Sequence, residues 1–217
     1  MFSGMAKVSK PREWVNKMKK HLLSLIGLAF LAACTGAWET SYEAPQDASV
    51  TRGWNVGSIN VSVPEALTTT ENNSFAPDAD IVWHGDPFGN RKVQVAMIME
   101  DGIRRGARGL RGSQSVDFQV VLEEFHALTP KARAEAPSAV HNITYTIQVF
   151  DRRTGEALTE PERIRADLPA FTGAQAFEAL QVGQTQKVRI LDHLERVTAG
   201  WLGIGPDPRQ EFGSVGR

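Results

Sequence analysis

Three spacings of apolar residues divide this chain of 217 residues. The first is a continuous run. Leu22 to Ala33 holds twelve residues with almost no polarity, behind Lys17, Lys19 and Lys20 and ahead of Cys34. As a helix it would be about 18 Å long, short of a hydrocarbon core of about 30 Å. It therefore predicts the apolar segment of a secretory signal rather than a membrane span.

The second spacing is alternation. Val56 to Val63 sets Val56, Ser58, Asn60 and Ser62 against Gly57, Ile59, Val61 and Val63, a strand with one wet face that Pro64 ends. Val116, Phe118, Val120 and Leu122 share one side of a second strand, and Ala79 to Trp83 reads as a short buried one. Asn142 to Phe150 is the clearest case, with Ile143, Tyr145, Ile147 and Val149 opposed to Asn142, Thr144, Thr146 and Gln148. Asp151 to Gly155 predicts a hairpin connection whose return strand lies around Arg163 to Leu168.

The third spacing is helical. From Arg91 onward, Val93, Ala96, Met97, Ile103, Ala107 and Leu110 fall near one face, until Gly106, Gly109 and Gly112 dissolve the helix. Gly173 to Leu202 predicts a second helical region in two pieces divided near Gly183, with a stripe of Val188, Leu191, Leu194, Val197 and Trp201. Thr129 to Pro137 is a turn or a short helical excursion. The elements sum to an α+β domain: an antiparallel sheet of four to five strands covered on one face by two helices. Along the chain they divide it into a signal over residues 1–33, a flexible tether over 34–55, one domain over 56–204 and a frayed tail over 205–217. Met18 is an alternative start for a compact signal. Twenty residues of tether would reach roughly 25 Å.

Charge and cysteine usage narrow the function. Residues 1–33 carry six of the 24 Lys and Arg and one of the 25 Asp and Glu, so the mature chain of 184 residues has a net charge of −6. That argues against nucleic acid as a partner. Cys34 is the one cysteine, so no disulfide braces the domain and packing must hold it.

Catalytic signatures are scarce. The chain has no Gly-x-Ser-x-Gly elbow, no His-Glu-x-x-His, no phosphate loop and no dinucleotide fingerprint. Glu124 and His126 share a strand face at a spacing suited to acid–base work, and His141 or His84 would have to join them to make a site. Two ligands are too few for zinc. Arg104, Arg105 and Arg108, with Arg111, form a basic cluster at a helix end, which offsets the helix dipole or contacts an anionic partner. His193 reads as a surface residue. No cofactor and no metal site is expected.

Leu31-Ala32-Ala33-Cys34, placed behind the lysines and the apolar run, resembles the lipobox of bacterial lipoproteins. That resemblance implies cleavage before Cys34 and acylation of Cys34. Two or three acyl chains, at about 0.8 kcal/mol per buried methylene, would make the attachment effectively permanent. Thr35 is not the aspartate that retains such proteins in the inner membrane of enteric bacteria. The resemblance therefore favours the periplasmic face of the outer membrane, with the inner membrane as the alternative. Asp80-Ile-Val-Trp83, Glu123-Glu-Phe-His-Ala-Leu-Thr129 and Asp151-x-x-Thr-Gly155 are similar to a family of uncharacterised alphaproteobacterial lipoproteins, which brings no known activity. The expectation is a non-enzymatic envelope lipoprotein, anchored in the membrane through acyl chains, whose domain binds another envelope protein or assists assembly. A carrier of lipophilic ligands, with a cavity between sheet and helices, is the alternative. An envelope hydrolase built on Glu124, His126 and His141 ranks third.

Overall fold

The computed structural model describes residues 37–211 and 213–215, so the signal, Cys34 and Thr35 lie outside the described residues. The strands are β1 (Ala37–Ser41), β2 (Trp54–Ser62), β3 (Ile81–Val82), β4 (Gln114–His126), β5 (Ala139–Asp151), β6 (Glu162–Ala166), β7 (Leu168–Ala170) and β8 (Gly213–Val215). The helices are α1 (Ala48–Thr51), α2 (Arg91–Gly106), α3 (Pro130–Glu135), α4 (Gly173–Gln181) and α5 (Gln186–Trp201). The class is α+β. The sheet runs β2-β4-β5-β6-β1, with β3 extending the β2 edge along β4 and β7 extending the β6 edge along β5.

The sheet is mostly antiparallel but mixed, which departs from the antiparallel expectation. β2 and β3 pair parallel to β4. The reason is connectivity: the chain leaves β3, crosses back through α2 and enters β4 in the direction of β2, as parallel pairing requires. The hairpin from β4 to β5 and the return through β6 supply the antiparallel part. At the second turn, Asp151 Oδ1 accepts the backbone N–H groups of Arg153 and Thr154, both at 2.9 Å.

Helices α2 and α5 cover one face. Beneath them lie Val116, Phe118, Val120 and Leu122 of β4 and Ile143, Tyr145, Ile147 and Val149 of β5, all buried. Phe118 meets Trp201 edge to face, ring centroids 6.5 Å apart. The α5 stripe is as the spacing predicts. In α2 the buried face is instead Val95, Ile98, Met99, Gly102, Ile103 and Gly106, and Val93 and Met97 are exposed. The cause is close helix contact. A Cβ on Gly102 would sit 2.5 Å from Leu194 Cβ, and one on Gly106 2.5 Å from the Glu195 carbonyl oxygen. Gly106 is the last residue of α2, where the sequence predicts the helix to end, and it is also where α5 approaches α2. Asn90 caps α2, its side chain accepting from Val93 N at 3.2 Å.

Two boundaries are corrected. The tether expected over 34–55 is part of the fold from Ala37 on. β1 pairs antiparallel with β6 through Thr40 opposite Ala166, and Thr40, Tyr42, Thr51 and Trp54 are buried. The tail expected to fray from residue 205 is held as far as Arg209. That guanidinium stacks on the Tyr42 ring at 4.7 Å and donates to the Tyr42 and Glu43 carbonyl oxygens, while Tyr42 donates its hydroxyl to Asp207. Among the described residues no helix is long and apolar enough to cross a membrane.

Candidate functional site: the open sheet face and a groove at its end

A bulge in β4 decides where the acid–base candidates point. The register with β5 shifts between Leu122 and Glu124, inserting Glu123 as an extra residue. The alternation therefore inverts. Phe125 turns into the core, edge-on to Trp83 at 5.8 Å, and Glu124 and His126 turn to the open face. Glu123 accepts from Thr146 Oγ1 and Arg163 Nε, both at 2.7 Å.

Glu124 Oε1 lies 3.8 Å from His126 Nδ1, so the two are neighbours as the spacing predicts. Burial raises the Glu124 carboxyl above its ordinary range, against the pull of His126. His126 Nε2 lies on the carbonyl oxygen of Ala79 and must donate to it, which leaves Nδ1 facing the carboxyl. At 3.8 Å the two face each other without a hydrogen bond. His141 is not with them: it is buried on the helix-covered side, next to Phe171, Gln186 and Arg189. The three-residue arrangement that a hydrolase would use does not form. Among the described residues no group of three or more His, Asp or Glu could hold a metal.

The basic cluster is largely consumed by its own helix. Arg104 pairs with Glu100 at 2.8 Å, and Arg105 grips Asp101 through Nε and Nη2 at 3.0 and 2.7 Å. Both sit in the last turn of α2, where cations offset the dipole. Arg108 is exposed just beyond it.

Two features were not anticipated. One is a buried polar cluster tying β1 to the helix layer. Asp167, between β6 and β7, accepts the backbone N–H groups of Glu39 and Ile143 at 3.1 and 3.0 Å. Thr40 Oγ1 donates to the Asp167 carbonyl oxygen at 3.0 Å, so His193 Nε2, 3.1 Å away, must donate to Thr40. His193 Nδ1 is then an acceptor facing Arg196 Nη2 at 3.5 Å. That assigns neutral His193 with its proton on Nε2. Burial pushes His193 down to about 4 and His141 down to about 3, and raises Asp167 to about 6. His193 is therefore a core residue, not the surface residue its neighbours in sequence suggest.

The other feature is a groove of about 460 Å³ at the end of the sheet. Trp38, Phe75, Pro77, Val82, Leu128 and Val140 supply its apolar walls, and His126 and Asn142 its polar side. Thr129 builds one wall: its hydroxyl caps α3 at Ala132 N and donates to the Ser74 carbonyl oxygen at 2.7 Å. The size and character suit a lipophilic ligand. Its residues come from five separate segments, so no local motif announces it. The buried core between sheet and helices is filled by large side chains, and the space expected there lies at the strand ends instead.

These features define an α+β domain with one helix-covered sheet face, one open face and an apolar groove at one end. The chain belongs to a family of unknown function, DUF6778, whose sequence model matches residues 54–217. No curated protein matches the sequence. Two solved structures are similar to it at low identity. A protein described as a candidate lipoprotein from Caulobacter crescentus CB15 is 12% identical, over 73% of this chain and 97% of that one, with a TM-score of 0.32. A PelC dodecamer from Paraburkholderia phytofirmans is 11% identical, over 75% of this chain and 99% of that one, with a TM-score of 0.29.

Proposed function

We propose that this protein is a non-enzymatic lipoprotein of the bacterial envelope, anchored through acyl chains on Cys34 at the periplasmic face of the outer membrane, whose domain binds another envelope component. One observation carries the reading: Leu31-Ala32-Ala33-Cys34 stands behind a lysine-flanked apolar run too short to span a membrane. The partner-binding surface is the open sheet face. Acyl labelling and membrane fractionation of the wild type against Cys34→Ala test it. Label and outer-membrane enrichment should be lost together in the variant, and an unlabelled wild type overturns the anchor.

The groove supports a second reading, a carrier of lipophilic ligands. A fluorescent fatty acid should then bind the protein and be displaced by Leu128→Glu, which puts a charge into the groove wall. Equal fluorescence with wild type and Leu128→Glu would sink that reading.

A further inference from the structure

The distance between anchor and domain determines which end of the domain meets lipid. Resting on the acylation of Cys34, only Thr35 and Gly36 separate the anchor from Ala37, where β1 begins. Fully extended, three residues span at most about 11 Å. The end of the domain that holds Ala37 therefore cannot leave the bilayer surface.

Register identifies that end. Thr40 is opposite Ala166 and Ser41 opposite Arg165, so the chain towards Ala37 runs past Asp167 alongside β7. β7 pairs with the start of β5 through Ala139 opposite Ala170, which places α3, leading into β5, and α4, following β7, at the same end. The end of β4 and the turn after β3 are there too, since Val82 is opposite His126. Asp86 of that turn is joined to Lys187 at the start of α5 by an ion pair of 2.8 Å.

Several of the exposed large apolar side chains lie at this end, although Val50, Met97 and Val121 are exposed away from it. Phe75, Phe88, Phe177, Leu180 and Val182 are between 45% and 85% exposed, and Trp38 lines the groove beside Phe75. A second depression of about 260 Å³ between α3 and α4 joins Phe177 and Leu180 to Arg133. Lys131 Nζ lies 4.8 Å over the Phe75 ring. Exposed aromatic rings with basic side chains among them are what an interfacial surface presents to headgroups and acyl chains. The opposite end exposes Arg152, Arg153, Thr154 and Glu156 of the hairpin, together with Val50.

We propose that this end of the domain seats on the phospholipid bilayer that holds the acyl chains, with Phe75, Phe88, Phe177, Leu180 and Val182 at the headgroup boundary and the mouth of the Trp38 groove facing lipid. The seating holds the domain in one orientation, so the hairpin end points away from the membrane.

Site-directed labelling tests this on the full acylated chain in phosphatidylethanolamine–phosphatidylglycerol vesicles. With Cys34 blocked by its lipid, Phe177→Cys, Val182→Cys and, as the distal control, Arg153→Cys each offer one thiol for a nitroxide. Burial of about 5–10 Å at the interface should lower accessibility to a water-soluble relaxation agent about five-fold at 177 and 182 relative to 153. Mass spectrometry of the same sample reports the Cys34 acyl chains. Acylated protein with equal accessibility at all three positions overturns the seating and leaves the anchor standing. Absence of acyl chains overturns the anchor itself. Protection at 177 that needs no vesicles and grows with protein concentration assigns the surface to a second copy and overturns the proposal.

Discussion

At the scale of single residues, two glycines carry more of the architecture than any charged group. Gly102 and Gly106 allow α2 to lie against α5, and their lack of a side chain is why the buried face of α2 is hard to read from apolar spacing. A glycine counts as neither apolar nor polar, so Val93 and Met97 draw the predicted face away from the true one. Both positions face atoms that move only with the α5 backbone: Gly102 faces Leu194 Cβ, and Gly106 faces the Glu195 carbonyl oxygen and Thr198 Cβ. Gly102→Ala and Gly106→Ala should therefore each cost about 1–3 kcal/mol, read as a lower midpoint in urea unfolding.

The buried histidines set the acid response. Both are neutral in the folded chain, with values of about 3 and about 4 against 6.5 in the unfolded chain. The unfolded state therefore binds more protons than the native state below about pH 6.5, and stability falls as pH drops from there towards 4. Asp167 acts with the opposite sign. Its value of about 6, against 3.8 unfolded, makes the native state take up a proton first and adds stability as pH falls through 6. Two histidines outweigh one carboxyl, so the protein should lose stability between pH 7 and pH 5. His193→Gln should show a smaller loss over that interval, measured by urea unfolding at the two pH values.

At the scale of elements, periodicity found those whose neighbours are local. β5, its hairpin to β6 and the stripe of α5 are legible because a period of two or of three and four repeats long enough to define a face. β1 is not legible, because five residues with polar members, Ala37-Trp-Glu-Thr-Ser41, become a strand only when β6 offers its edge. The bulge at Glu123 is invisible for a similar reason: alternation in one strand does not reveal that its partner skips a residue. β1 is held at its end by Arg209, so Arg209→Ala should speed amide exchange across residues 38–43 while leaving β4 and β5 protected. Hydrogen exchange read by mass spectrometry separates the two regions.

At the scale of the whole molecule, the boundary of the folding unit follows from burial rather than from composition. Thr40, Tyr42 and Thr51 are buried and long-range bonded, Thr51 donating its hydroxyl to the Leu202 carbonyl oxygen at 2.8 Å. A chain beginning at Gly53 should therefore unfold at clearly lower urea than one beginning at Ala37, although the family match starts at Trp54. Equal midpoints would return residues 37–52 to the role of a tether. The same boundary places Cys34 three residues before the fold, so the proposed acylation there would keep one end of the domain at the lipid.

The sequence alone determined the fold class, the wet face of the central strands and the helical stripe of α5. Each of these rests on residues close together in the chain, so a local pattern is enough to express it. Tertiary structure alone decided the parallel pairing of β2 with β4, the separation of His141 from Glu124 and His126, and the burial of His193. It also decided the groove of Trp38, Phe75 and Leu128. These depend on contacts between segments far apart in sequence, whose geometry is set by a crossover, a bulge and two glycines rather than by the spacing of apolar residues.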